Sequence, residues 1–409
     1  MRLILDLHIH SKHAQACSKD LDIKNLEKWA RTKGIDVLGT GDFTHPEWTK
    51  ELDDLLVREQ DGIYYTATDQ AFIYQTEISL IYTQVKGRRI HILILAPSRE
   101  VAKRITEYFG KQGRLDYDGR PIFGIPAWKV VQDLRQIDER IEVIPAHAWT
   151  PWFGVFGSKS GFDSLNECFL KETPHIHAIE TGISSDILMN ERLSRLDGLR
   201  KVSFSDAHSY WPWRLGREVT IVDIERLSYD NIIKAIRTGE GFWGTIEVEP
   251  AYGKYHYDGH RACSFVQSPE ETKKNGKTCP VCKRELTIGV QYRVNQLADK
   301  ESHTKAKLQN EIKLLPLSEI IAMVLGKGLA TKTVWTEYWN ILKTGKNEFD
   351  VLLNVPKETL LSAGNPLVVD AIMHFRSGNI TIDPPGYDGV YGVPKIPGIS
   401  LNTDVVKED

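Results

Sequence analysis

Short apolar runs separated by amphipathic stretches fill the first 250 residues. The runs are LILDLHI, GIDVLGT, AFIYQTEISLIYT, RIHILILAP, RIEVIPAH, HIHAIETG and RKVSFSDAH. Their length and their share of Ile, Val, Phe and Tyr predict β-strands. Between several of them, apolar residues recur at helical spacing. One such segment spans Asp22 to Lys33, with an aspartate at its start and Gly34 just past its end, the usual boundary signals of a helix. Others run from Ser184 to Leu196 and onward from Ser228. This alternation predicts an α/β fold with a mostly parallel sheet or a β/α barrel. The first run carries a second pattern. Leu5, Leu7 and Ile9 alternate with Asp6, His8 and His10. Alternate side chains of a strand share one face, with next-nearest residues about 6.5–7 Å apart, so His8 and His10 converge on one point.

The pattern changes after residue 250. From Tyr252 to about Lys300 come HYDGHRAC, the polar SPEETKKNGKT and CPVCKREL, followed by the helix-rich ADKESHTKAKLQNEIKLLPLSEIIAMVLG. A further helical segment, SAGNPLVVDAIMHFRSG, precedes the turn-rich DPPGYDGVYGVPKIPG, which reads as loop or edge strand, and a terminal NTDVVKED expected to fray. The expected organisation is a catalytic barrel over 1–250, a zinc-binding module over 251–298 and a helical, basic region over 299–409. Charge follows this division. The 409-residue chain has a net charge of −3, yet residues 253–346 hold 16 Lys and Arg against 9 Asp and Glu. An acidic part able to hold cations thus adjoins a basic part able to hold phosphates. No stretch approaches the ~20 apolar residues of a membrane span, and MRLILDLHIH is too polar and too short for a signal peptide. Five cysteines, three of them clustered, do not form a secreted disulfide framework. The expected location is cytoplasmic, with no membrane partner.

Groups able to bind metal sit along the apolar runs, most of them at the ends. They are His8 and His10, then Asp42 and His45 in GDFTH, Glu77, His91, His147, Glu180, and finally Asp206 and His208. Catalytic groups of α/β barrels collect at the C-terminal strand ends. Imidazoles mixed with carboxylates suit Zn, Mn or Fe at a multinuclear centre. Paired ions ~3.5–4 Å apart serve phosphate-ester hydrolysis, clamping the attacking and departing oxygens and making water a nucleophile at neutral pH. No nucleophilic serine or cysteine motif competes: Cys168 reads as structural, and Cys17 as peripheral to the metal site. Asp6 reads as a carboxylate supporting the neighbouring imidazoles from behind. A second constellation, His260-x2-Cys263 with Cys279-x2-Cys282, has the spacing of a structural zinc site. His256 competes with His260 for its fourth position.

The HIH near the start, the acid and histidine after the second strand, the mid-domain Glu, IHILIL, the later His and SDAH resemble the polymerase and histidinol phosphatase (PHP) superfamily. That resemblance implies a distorted β/α barrel with a trinuclear metal site. Its ligands would be His8, His10, Asp42 or His45, Glu77, His91, His147, Asp206 and His208. Two residues separate Asp42 from His45 here, which leaves open which of them reaches a metal. The whole chain, from HIH through YHYDGHRAC and CPVCKRELTIGVQYRVNQLADK to PPGYDGVYG, resembles the endonuclease Q family. This resemblance implies a DNA-repair endonuclease that recognises deaminated bases (hypoxanthine, uracil, xanthine) and abasic sites. It implies hydrolysis of the phosphodiester 5′ of the lesion by metal-activated water.

The residues fit that task. Enzymes that inspect one base extrude it and stack it on aromatic groups. Trp149, Trp152 and Phe153 follow His147, and Tyr210, Trp211, Trp213 and Arg214 follow His208. Lys159, Lys171, Arg214 and Arg217 are candidate phosphate contacts. His8, His10, Asp206 and His208 are the expected catalytic set, with Asp206 and His208 aiding proton transfer to the leaving group. The expected cofactors are two or three divalent ions (Zn, Mn or Mg) in the barrel and one structural Zn. The expected partner is damaged DNA, its backbone gripped by the zinc module and the basic region. A sliding clamp is a further candidate partner, although no convincing Gln-x-x-hydrophobic-x-x-aromatic-aromatic motif occurs. The rival readings are a small-molecule phosphatase of the histidinol-phosphate type and a zinc-dependent DNA-binding scaffold with an inactive barrel.

Overall fold

A computed structural model describes residues 1–300 and 309–406. Each apolar run named above contains a strand. The strand Arg2–Asp6 lies mid-sheet, parallel to Val37–Gly39 and antiparallel to Val219–Asp223. Val37–Gly39 runs parallel to Ala71–Gln84. That long strand turns at Val85 directly into Lys86–Ala96, pairing from Tyr74 opposite Ala96 to Gln84 opposite Lys86. Glu142–Pro145 extends the ladder antiparallel to Lys86–Ala96. On the other flank Val219–Asp223 pairs antiparallel with Phe242–Glu247. Among the described residues the result is an 11-stranded mixed sheet, with Ala178–Glu180 and Arg200–Val202 forming a separate parallel pair.

The mostly parallel sheet is thereby corrected, because antiparallel pairings outnumber parallel ones. A parallel pair needs a crossover of a dozen or more residues. The turn at Val85 leaves no room for one.

The helix signals act as read. Ile23–Lys33 is capped by the Asp22 side chain, which accepts from Asn25 N, and ends at Gly34 with φ 96°. Tyr229–Thr238 is capped by Ser228 and closed by Gly239. The segment from Ser184 to Leu196 differs: it yields one short helix, Ile187–Asn190, and a 3-10 turn, Ser194–Leu196. Asn190 lies buried there. It donates to the Asp186 carbonyl and accepts from the Trp149 indole. A short amide that bonds the local backbone competes with helix continuation.

The C-terminal part joins the same body. Asn310–Lys313 adds in parallel to the edge strand Phe242–Glu247. Helices Leu317–Leu325, Lys332–Leu342, Glu348–Leu353 and Pro366–Arg376 follow. One core cluster runs from Ile9 to Val406 across the boundaries expected at 250 and 298. Val406, in the 3-10 turn Thr403–Val406, is buried in it, so this part of the expected frayed tail is packed. Residues 301–308 of the basic region and 407–409 of the tail lie outside the described residues. The turn-rich segment folds back: Tyr391 stacks on Tyr252, with ring centroids 5.1 Å apart. Leu3, Leu5, Val37, Ile73, Leu93, Ile144, Ala178 and Val202, from strands of both sheets, fill a second cluster with the Tyr229–Thr238 helix. Among the described residues no helix is long and apolar enough to cross a membrane.

Candidate metal centre

The strand Arg2–Asp6 stops two residues before the alternating pattern brings His8. Asp6 accepts from the backbone of Ser205 (3.0 Å) and Gly216 (2.9 Å), tying the strand end to two loops. This corrects the support role read for Asp6: its carboxylate binds backbone, and burial pushes its pKa up to about 6. His8 and His10 follow in extended chain, held at Ile9 by a bridge to Ala207. Glu77 and His91 come from the long hairpin, where Ser79 faces His91. Diagonal neighbours on one face of a ladder lie within reach of each other. His147, Glu180 and Asp206 stand at or just beyond the ends of three further strands.

These side chains form two donor groups sharing Glu77. His8, His10, Glu77 and Asp206 place ligand atoms within 4.8 Å of one another, and so do Glu77, His91 and His147. His10 Nε2 lies 3.2 Å from Asp206 Oδ1 and 3.4 Å from Glu77 Oε2. His8 Nε2 lies 3.6 Å from both Glu77 Oε1 and Asp206 Oδ1. Glu77 Oε1 also meets His91 Nδ1 at 2.9 Å and His147 Nε2 at 3.1 Å. His8 Nε2, His10 Nε2 and Asp206 Oδ1 are buried without a hydrogen-bond partner among the described residues. Orphaned buried polar atoms are costly. Here they converge, so the donor set fits divalent cations, with Glu77 placed to bridge two positions.

Electrostatics agree. Burial opposes charge on His8 and His10, yet the surrounding carboxylates outweigh it and hold both imidazoles well above their ordinary pKa. Burial likewise opposes a charged Glu77, but His91, Arg120 and His8 keep it well below the usual carboxylate range. The pocket demands positive charge. Burial brings His91 down to about 4, leaving it the neutral form a metal needs.

The backbone is strained at this site: Asp42, His147 and Asp206 have φ of 40°, 29° and 47°. Non-glycine residues adopt such angles where tertiary structure over-determines them, commonly at functional sites.

Other predicted residues stand outside the two groups. Asp42 meets His10 Nδ1 at 3.0 Å and accepts from Ser11 N and Oγ. It orients that imidazole. His45 stacks on His13 at 4.3 Å, away from the donors. Neither member of the Asp42/His45 pair thus joins the clustered donors. His208 packs against His10 at 4.7 Å, and its Nδ1 meets the Asp206 carbonyl at 2.9 Å. A carbonyl only accepts, so Nδ1 carries the hydrogen and Nε2 of the neutral ring is left to ligate or take a proton.

Glu180, an anonymous strand-end acid in the sequence, supports two donors. It meets His8 Nδ1 at 2.9 Å and accepts from His147 N at 2.6 Å. Sequence reasoning missed Arg120, whose Nη1 lies 3.1 Å from Glu77 Oε2. Its loop passes so close that a Cβ on Gly119 would lie 2.3 Å from Asp42 Oδ2. The signal that could have found it is YDGR, a turn placing a cation just ahead of the strand Ile122–Phe123.

Two cavities open at the centre and share Asp206, Ile183 and Lys254. One, of about 290 Å³, is walled by His91, His147, Trp152, Phe153 and Tyr255. The other, of about 540 Å³, is walled by His208, Trp211, Trp213, Arg214, Arg217 and Tyr391. Trp149 is corrected as a stacking residue. It is 1 % exposed and donates to Asn190 Oδ1 at 2.7 Å, so it belongs to the core. Phe153 packs on His91 at 4.3 Å. Trp211 and Trp213 stack at 5.0 Å and 6°, and both also meet Trp335. Tyr210 packs on Trp211 at 4.8 Å, behind the cavity wall. Lys159 pairs with Glu285, and Arg217 reaches the Tyr391 hydroxyl.

The second constellation gathers elsewhere. His260, Cys263, Cys279 and Cys282 lie within 4.8 Å of one another, a set suited to a tetrahedral divalent ion. The Cys279–Lys283 turn is closed by Lys283 N on the Cys279 carbonyl at 2.9 Å. His256 is buried against Tyr257 and takes no part.

Comparison with known proteins follows this geometry. Residues 316–379 match the family described as MJ0043 C-terminal domain. The chain is 34 % identical over 252 residues to the uncharacterised protein MJ0043 of Methanocaldococcus jannaschii, matching 60 % of this chain and spanning 31 % of that protein's length. It is 26 % identical over 413 residues to the uncharacterised protein YqxK of Bacillus subtilis, covering 96 % of this chain and 98 % of that one. Two crystal structures match throughout at 30 % identity. One is the lesion-specific endonuclease of Pyrococcus furiosus (TM-score 0.87; 100 % of this chain and 98 % of that one). The other is endonuclease Q in complex with a 27-mer duplex substrate with an abasic lesion at the active site (TM-score 0.88; 97 % of each chain). Near-complete coverage at this identity includes the donor strands and the C-terminal region alike: the chain belongs to the endonuclease Q family.

Proposed function

We propose that this protein is a metal-dependent DNA-repair endonuclease. It recognises deaminated bases and abasic sites and hydrolyses the phosphodiester 5′ of the lesion. The observation that carries this reading is the pair of donor groups sharing Glu77 at the meeting point of two cavities, one walled mainly by aromatic side chains and one by aromatic side chains together with Arg214 and Arg217. Bound there, divalent ions supply Lewis acidity and a nucleophile from water.

The residues do the rest. His8, His10, Glu77, His91, His147 and Asp206 hold the ions, while Glu180 and Asp42 fix the imidazoles. Arg214 and Arg217 lie where phosphate charge needs balancing. His208 Nε2, which carries the lone pair of the neutral ring, first takes a proton from the attacking water and then gives it to the departing oxygen. The aromatic cavity takes the extruded nucleotide. His260 and the three clustered cysteines hold a structural zinc. The barrel reading is supported by the second core cluster, to which strands of both sheets contribute buried side chains. The three regions 1–250, 251–298 and 299–409 divide the labour as catalysis, zinc staple and backbone grip.

The test is cleavage of a labelled duplex holding one deoxyinosine, deoxyuridine or abasic site beside an undamaged duplex, with Mn, Mg or Zn added. A single cut 5′ of the lesion, lost in His8→Ala, supports the proposal. Release of phosphate from a small monoester without lesion-dependent cutting sinks it.

A further inference from the structure

A third cavity, of about 480 Å³, adjoins the centre without containing any of its donors. It lies between the turn of the long hairpin and the loop 152–160. Thr83, Gly87, Arg89, Trp152, Lys159 and Ser160 line it, over Tyr82 and Arg88. Among the described residues no carboxylate lines it.

Its walls are locked to the metal centre. His91 N donates to the Phe153 carbonyl at 2.8 Å. Ser160 Oγ donates to the Arg89 carbonyl at 3.2 Å. The Arg88 guanidinium donates to the Gly161 carbonyl and lies 3.8 Å over the Phe162 ring. The groove therefore keeps a fixed distance from the His91 donor.

Its chemistry is that of a polyanion track. Arg89 and Lys159 supply charge, Thr83 and Ser160 supply hydroxyls, and Gly87 leaves open space where a Cβ would meet nothing within 4 Å. Lys159 Nζ rests on Glu285 at 3.0 Å, but Glu285 is 69 % exposed. An exposed pair contributes little, so a phosphate can displace it. Trp152 is 36 % exposed and walls both this groove and the aromatic cavity at the metal centre. It faces Tyr255 at 6.1 Å across that cavity.

We propose that this groove carries the sugar–phosphate backbone of the DNA strand flanking the scissile bond, and that Trp152 is the partition between the extruded nucleotide and its stacked neighbours. The inference rests on the nuclease reading, and its test separates the two. On the lesion-specific reading undamaged duplex is left intact, and in a metal-free buffer it stays so in any case, so the full protein's affinity for it can be followed by anisotropy across a salt series. Losing one phosphate contact lowers the slope of log affinity against log salt by about 1. Arg89→Ala and Lys159→Ala should each do so, while Arg58→Ala, an exposed arginine outside the groove, should not. Unchanged slopes in both groove variants would overturn the groove assignment, even if wild-type protein cuts at lesions. Failure of the wild type to cut overturns the nuclease reading, while the slopes still decide the groove. For the partition, Trp152→Ala should slow single-turnover cutting at the lesion by about tenfold or more and lose more affinity for lesion-containing duplex than for undamaged duplex, with Trp152→Phe restoring both. Equal loss of affinity for the two duplexes, or unchanged cutting, overturns it.

Discussion

At the scale of the residue, orientation decides as much as identity. Glu180 and Asp42 are not among the clustered donors, yet each fixes one imidazole of the HIH pair. Carboxylates in that position typically affect metal affinity or activity by 10–100-fold. Glu180→Ala should therefore lower metal affinity within that range while the melting temperature of the metal-free protein changes little; metal titration with thermal melts reads both. Two tryptophans three positions apart make the opposite point. Trp149→Ala should cost about 3–5 kcal/mol of stability, as emptying a buried indole site does, whereas the exposed Trp152 should cost far less; urea denaturation compares them. His256 sets a pH dependence. Burial holds its folded pKa down at about 4 against an ordinary 6.5. Between those values the unfolded chain binds a proton that the folded chain refuses, so stability is lost as pH falls from 6.5 towards 4. The loss amounts to about 3 kcal/mol. His256→Gln should flatten that part of the curve, measured as urea midpoints from pH 7 to 4.

At the scale of the element, the segment around the His260, Cys263, Cys279 and Cys282 donor set, proposed as a zinc module, matters through what it touches. Ser158 Oγ donates to the Ile288 carbonyl, Lys159 pairs with Glu285, and Arg293 donates to the carbonyls of Phe156 and Phe162. The module thus braces the loop that carries Trp152 and Phe153. Structural zinc supplies much of the folding free energy of such small units. Cys279→Ser should raise amide hydrogen exchange both in residues 258–289 and in the loop 152–163, while the Arg2–Asp6 strand stays protected. Exchange confined to the module would show the loop to be self-supporting. Helix boundaries were legible in the sequence wherever a cap residue stood at one end and a glycine at the other, as with Asp22 and Gly34. The helix expected from Ser184 was not, because Asn190 is drawn into a hydrogen bond with Trp149, 41 residues away in sequence.

At the scale of the whole molecule, an aromatic cluster joins the first helix to the C-terminal ones. Trp29 meets Trp335 at 5.4 Å and Trp339 at 5.9 Å, and Trp335 meets Trp211 at 5.5 Å. Beneath it, Lys33 Nζ lies 2.8 Å from Glu348 Oε1, both buried. Breaking a buried ion pair or a packed aromatic contact costs several kcal/mol. Trp335→Ala should lower global stability by about 3–5 kcal/mol and split the single unfolding transition expected of wild type into two, seen by comparing tryptophan fluorescence with far-UV dichroism. The same cluster sets one wall of the cavity beside His208, so the variant should also weaken DNA binding.

The cluster of candidate donors was legible in the sequence because its members sit at or near strands, where alternation and run length announce them. The HIH, SDAH and Cys-x2-Cys spacings are local facts, and local chain geometry alone brings such neighbours together. What only the tertiary structure decided is which groups at long range face one another. Glu77 became the shared donor and Glu180 the brace of His8. Arg120 entered the site, and Asp42 turned towards His10. Trp149 went to the core while Trp152 stayed at the surface. Each of these follows from pairing register and loop packing between segments tens to hundreds of residues apart, and a side chain's environment is set by those neighbours, not by its own place in the chain.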